Sequence, residues 1–369
     1  MYLDIDFKQF GRCVLFALAF ICLGPSLFAQ LDTLSSKKSK PVKLSALPVI
    51  FYLPETKLGF GAAGIATIKG RKYEGIKPSQ VQFAAVYTLR KQVLIFAPFE
   101  LYFKRDKLRW MGELGYFKYY YNYFGQGINS GRAAKEVFSA DFPKLTSSVS
   151  YAVSPHWYLG GLLHLEQFKT KDITAGSNVA LAPGSGGGVI STIGLDLLFD
   201  SRDQIIFPSK GWFVNLKSEH GGKWTGASYG YNKYELDVRN FTSLHPKLIV
   251  ASNMVFGASN GDLPFNQQFY YSSGIRLRGF DDRRFQDNNL LLLQYELRGQ
   301  IYKSLSGVVF HGLGTLSSDV SGLFKNRWVH GYGMGLRYIL NKRDHVNLRV
   351  DYARTAEGGN FYLTVKEAF

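Results

Sequence analysis

Cysteine is the first thing this chain lacks. Only Cys13 and Cys22 are present among 369 residues, and both lie in the apolar run from Cys13 to Phe28. The rest of the chain can therefore build neither a disulfide framework nor a thiolate metal site. Long apolar runs are missing too: after Gln30 no window approaches the ~20 residues of a membrane-spanning helix. Histidine is sparse, and the seven residues fall singly, without the spacing of a metal site or a helical ligand pair. The glycine stretch Gly184–Gly188 has no Lys-Ser/Thr after it, so it does not read as a phosphate cradle. Acid is short against base, 28 to 44, which leaves a formal charge of +16. These absences argue against catalysis, a resident metal and a cofactor; catalytic and metal-ligating residues are none.

The apolar run follows Lys8 and Arg12 and ends at Ser26-Leu27-Phe28-Ala29-Gln30. This pattern predicts a secretory signal peptide over residues 1–29. Export argues against nucleic acid as the partner of the positive charge, and no helix-turn-helix pattern or clustered basic helix is present. Residues 30–46 read as a short basic arm on the periplasmic side, carrying Ser35-Ser36-Lys37-Lys38-Ser39-Lys40. Residues 47–369 are rich in glycine and aromatics and broken into runs of alternating apolar and polar residues. Between Lys233 and Arg239, for example, Tyr234, Leu236 and Val238 alternate with charged neighbours. Charges at every other position suit a polar lumen with lipid on the outer face. A soluble sandwich would have no use for them.

Sixteen such runs can be counted, from 57–69 to 360–369, with the fifth placed at 134–140 and the sixth at 144–154. The number is even, as a closed antiparallel barrel with both termini on one side needs. The expected fold is therefore all-β, a sixteen-stranded antiparallel transmembrane barrel in the outer membrane of a Gram-negative cell, with both termini periplasmic. Connections after odd-numbered strands are the long ones. The longest, Ala258 to Gln286, follows the eleventh strand and is expected to be extracellular and to fold into the lumen. It holds Leu277-Arg278-Gly279-Phe280.

These residues resemble the BamA/TamA outer-membrane proteins, the bacterial surface antigen superfamily, whose signature is V/L-R-G-F/Y. Two further stretches are similar to that family. One is the turn Asp200-Ser201-Arg202-Asp203 with Phe207-Pro208-Ser209-Lys210-Gly211, whose family-like positions are Asp200, Arg202, Asp203, Pro208 and Gly211. The other is Gly261-Asp262-Leu263-Pro264-Phe265. The resemblance is strongest over residues 189–369. It implies that the loop arginine, Arg278, is held in the lumen by acids on the following strands. Glu296 matches one of these acids and is the expected loop-lock partner. The family's second acid is replaced, since Phe310-His311-Gly312-Leu313-Gly314 has glycine at that position. Fewer than thirty residues separate Gln30 from the first expected strand, too few for the POTRA domains of BamA-like relatives.

The implied work is insertion or translocation of a macromolecule, protein or lipid, into or across the outer membrane. The alternative is a passive, weakly anion-selective pore, suggested by the positive lumen. Expected partners are outer-membrane lipid, the cell's own barrel-assembly machinery and a separate periplasmic protein. The machinery would read the terminal row Phe361, Leu363, Val365 and Phe369 as a C-terminal assembly signal.

Overall fold

A computed structural model describes residues 42–53, 57–68, 79–104, 106–204, 207–271, 275–341, 346–365 and 367–369. The signal peptide and most of the basic arm lie outside these residues. Among the described residues, sixteen strands form one antiparallel sheet in sequence order. We number them β1 (Val42–Leu53), β2 (Lys57–Ile68), β3 (Ser79–Thr88), β4 (Val93–Phe103), β5 (Leu108–Tyr123), β6 (Glu136–Ser154), β7 (Trp157–Lys171) and β8 (Gly188–Asp200). The second half holds β9 (Gly211–Gly221), β10 (Tyr231–His245), β11 (Leu248–Gly261), β12 (Asn289–Tyr302), β13 (Leu305–Ser317), β14 (Val329–Asn341), β15 (Val346–Thr355) and β16 (Gly358–Val365).

Two differences from the sequence reading cancel. The first strand is β1, whose residues Val42–Ala46 the reading placed in the arm. The fifth and sixth runs are one strand, β6. Pro143 lies in the gap between the two runs, and proline cannot donate to a ladder. In β6 it sits where the strand tolerates it. Its neighbours Asp141 and Lys144 pair with Lys169 and Glu166 of β7, and Phe142 and Pro143 lie between.

The sheet is rolled into a barrel. The β5–β6 and β15–β16 connections lie some ten strands apart in the sheet order, about 45 Å if the sheet were flat. Yet Arg284 donates to Ser130 O of the first (2.9 Å) and to Glu357 of the second (2.7 Å). The two faces of each strand carry opposite chemistry. Along β14, Tyr332, Met334, Leu336 and Tyr338 are exposed on the outside, while Gly331, Gly333, Gly335 and Arg337 line the lumen. Among the most deeply buried charged side chains are Glu296, Arg298, Arg337, Arg349 and Asp351, and all five are lumenal. This is the inverse of a soluble protein and the pattern of a barrel solvated by lipid. No helix among the described residues is long and apolar enough to cross a membrane.

The β5–β6, β7–β8, β11–β12 and β13–β14 connections are long and lie at the end opposite the tight β6–β7, β10–β11 and β12–β13 turns. The β11–β12 connection is the longest and runs back into the lumen. It is braced internally by a two-residue ladder that pairs Phe269 with Asp287 and Tyr270 with Gln286.

Candidate functional site

The lumen loop is fastened to two different stretches of the barrel wall. Its first half docks on β5–β8. Gly261 turns the chain out of β11 with φ +88°, a conformation that favours glycine. Phe265 then enters an aromatic cluster with Tyr123, Phe138 and Phe168, at ring separations of 5.6, 5.4 and 5.9 Å. Beside it, the Asn266 and Gln267 amides donate to Glu166 of β7 (2.8 and 3.2 Å). The Phe265 amide donates to Pro183 O (2.8 Å). This gives the Gly261-to-Phe265 stretch a physical role as the loop's first anchor.

The second half docks on β12–β16. Leu277 has φ +56°, a costly conformation for a branched side chain. It is held there by burial and by its amide, which donates to Gln294 Oε1 of β12 (2.9 Å). The Arg278 guanidinium lies between two carboxylates. Nη2 donates to Glu296 Oε1 at 2.5 Å, and Nη1 donates to Asp351 Oδ2 of β15 at 2.7 Å. Its flat face covers the Phe310 ring at 3.5 Å from the centroid. Gly279, at φ +111°, donates its amide to Tyr362 Oη (2.9 Å), and its carbonyl accepts from Asn360 Nδ2 (3.0 Å). Phe280 is buried against Phe285.

The site thus contains two carboxylates where the sequence pattern offered one. Gly312 carries no acid, and Asp351, two strands further round, takes that place. Glu296 and Asp351 each bind more than Arg278. Glu296 Oε2 accepts from Arg298 Nε (2.7 Å). Asp351 accepts from Arg337 and lies 3.3 Å from Arg349 Nε. Each charge is therefore paired and nearly closed off from water, the condition under which buried ions are tolerated. Asp351 had a readable signal, since it stands on the polar face of the alternating stretch Val346–Ala353. Its partnership with Arg278, 73 residues away, had none.

Lumenal glycines make this docking possible. A Cβ on Gly331 would lie 2.2 Å from Arg278 O, and one on Gly314 would lie 2.5 Å from Tyr271 Oη. At Gly312 the loop's Leu277 fills the space that an acid side chain would need.

The remaining sequence-selected residues lie apart from the loop. In the β8–β9 turn, Arg202 grips Asp200 through two hydrogen bonds of 2.8 Å and stacks on Phe213 at 4.5 Å. Pro208 is buried, and Gly211 has φ +107° with its missing Cβ 2.4 Å from Ser201 O. Asp203 accepts from the Ser209 amide (2.9 Å), the Lys210 amide (3.3 Å) and the Ser209 hydroxyl. Partial burial pushes its pKa up, but these bonds outweigh burial and leave it lowered. A lowered folded pKa means that the turn's stabilisation is complete above the ordinary aspartate value near ~3.9 and is lost as pH falls through the folded value. The protection factor of the Lys210 amide is expected to hold at pH ~5 and to be lost on acidification well below the ordinary aspartate range. In Asp203→Asn that acid-dependent step should vanish.

The terminal row does not continue as an alternating strand. Phe361 is exposed on the outer face against Tyr352 (4.6 Å). The Leu363 and Val365 side chains lie outside the described residues. β16 ends at Val365, and Phe369 is 7% exposed inside the lumen, packed with Phe241, Ala251 and Ala368. The backbone leaves the sheet before Phe369, which removes it from the outward-facing row.

A family model described as "Omp85 superfamily domain" matches residues 77–365. Among solved structures, the chain is similar to the crystal structure of BamA from Haemophilus ducreyi lacking POTRA domains 1-3. Identity is 13% and the TM-score 0.60, over 89% of this chain and 70% of that one. It is also similar to CdiB from Escherichia coli (14%, TM-score 0.62, 90% and 63%) and CdiB from Acinetobacter baumannii (12%, 0.57, 90% and 60%). The chain thus spans less than two thirds of either CdiB chain. At these identities the likeness is one of fold. No curated protein matches the sequence.

Proposed function

Because the chain belongs to the Omp85 superfamily and is an outer-membrane barrel, we propose that it inserts or translocates a macromolecule, protein or lipid, into or across the outer membrane. The observation that carries this reading is the double fastening of the lumen loop, at Phe265 on β5–β8 and at Arg278 on β12–β16. A passive pore works through an open lumen. Here the loop spends several buried aromatic side chains and a four-arginine ion cluster on occupying it. Such a fastening suits a device that stays sealed until a client displaces the plug.

In this reading the short connections and both termini are periplasmic and the long connections extracellular. The Arg278 loop enters from outside, and Glu296 and Asp351 are its lock. Outer-membrane lipid surrounds the exposed apolar face, and the client supplies the partner.

Planar-bilayer recording tests the reading. The intact protein is expected to show small, fluctuating conductance that rises several-fold when residues 276–284 are deleted. A large, steady conductance that the deletion leaves unchanged would instead establish the passive, weakly anion-selective pore. Depletion in cells is expected to remove a specific outer-membrane component.

A further inference from the structure

Segment 367–369 leaves the sheet after β16 and crosses to the wall formed by β10, β11 and β12. Glu367 Oε2 accepts from Arg337 Nε at 2.7 Å, with the glutamate side chain 3% exposed. Two residues on, the Phe369 ring packs on Phe241 and Ala251. The Arg298 guanidinium sits among three rings, 5.5 Å from Phe369, 5.6 Å from Phe241 and 5.9 Å from Phe207. Arg298 Nη2 also donates to Phe369 O at 3.3 Å. The seat is therefore a cationic rim beside an aromatic floor, matched to a carboxylate and, two positions later, an aromatic ring. Its capacity for acceptors is not used up: among the described residues, Arg298 Nη1 and Arg337 Nη2 are buried without one.

We propose that this seat is a binding site for an extended peptide with the pattern acidic-x-aromatic, and that the chain's own segment 367–369 is its resident self-ligand. The inference rests on the reading above in one respect only, that a polypeptide client enters the lumen. The site is joined to the loop lock. Arg298 holds Glu296, Arg337 holds Asp351, and those two carboxylates hold Arg278. A client that takes the seat acts on the same arginines that set the charge around the loop. A tethered segment competes at an effective concentration on the order of millimolar, so a weak free peptide cannot displace it at micromolar levels. Removing the segment frees the site.

The test uses the purified full-length protein in detergent and a fluorescent peptide of sequence Thr-Val-Lys-Glu-Ala-Phe, followed by anisotropy. Binding is expected in the variant lacking residues 367–369 and to be at least about tenfold weaker in the intact protein. Exchanging the peptide's Glu for Gln or its Phe for Ala is expected to weaken binding by about tenfold each, with the protein unchanged. If the truncated protein does not fold, the doubly substituted Glu367→Gln, Phe369→Ala protein takes its place. Equal binding to intact and emptied proteins, no binding to the emptied protein, or indifference to both peptide exchanges would overturn the proposal. The readout is independent of conductance and of any cellular phenotype, so its failure leaves the translocation reading to its own tests.

Discussion

Replacing Asp351 with alanine is expected to lower the stability of the barrel by about 3–5 kcal/mol and to unlock the lumen loop. Asp351 is fully buried and is the shared partner of Arg278, Arg337 and Arg349. Its removal leaves three guanidinium groups facing one another in a space shielded from water. Breaking a buried pair costs far more than the pair itself contributes, because the remaining charge has lost its compensation. Asp351→Asn keeps the shape and one acceptor, so its cost should be smaller. Glu296→Ala should rank second, since Glu296 serves Arg278 and Arg298. Denaturant midpoints from tryptophan fluorescence, with the heat-shifted gel band as the folded-state marker, give the order. A double-mutant cycle between Arg278→Ala and Asp351→Ala should show coupling of roughly 1–3 kcal/mol. Purely additive losses would mean that Arg278 does not depend on Asp351 for its position.

Gly331→Ala is the second large effect, and it acts without touching a charge. The new methyl group would stand 2.2 Å from Arg278 O, a backbone atom that cannot rotate away. Either β14 bends or the loop lifts off the wall. Overpacking of this kind costs about 1–3 kcal/mol. Because the loop is the part with somewhere to go, the expected outcome is a protease-sensitive site within 275–285 and raised conductance. Gly299→Ala is the control, because its Cβ would meet only Leu248 at an ordinary 3.7 Å. A Gly331→Ala protein whose loop resists protease as well as the parent's would show that the wall yields first.

The barrel was legible because a membrane strand states both its faces at every second residue. Lys233 to Arg239 and Val346 to Ala353 read directly as inward and outward rows. Weak alternation hid the rest: β1 was missed and β6 was split across residues 141–143. The errors offset, so the loop still follows the eleventh strand. Within the site, Arg278 and Glu296 could be named because a short motif and a strand phase suffice for each. Asp351 was visible as a lumenal residue but not as a lock. Its role depends on β15 standing two strands beyond the missing acid at Gly312. Asn360 and Tyr362 grip Gly279 from β16, and nothing local to them marks that contact. The inward course of segment 367–369 was misread for a related reason. Alternation gives the phase of a strand but not the residue at which the chain abandons it.

The glycine row on β13 and β14 bears on selectivity. Gly312, Gly314 and Gly331 present almost no side chain to the lumen, and the loop's Leu277, Tyr271 and Arg278 lie against them. A withdrawn loop would leave a trough floored by peptide backbone, bordered by the Phe310 ring and the Glu296 and Asp351 carboxylates. Such a floor has little with which to tell one passing side chain from another. Discrimination among clients would then fall to that border and to the arginines and aromatic rings at the trough's end, leaving the floor itself indifferent to sequence.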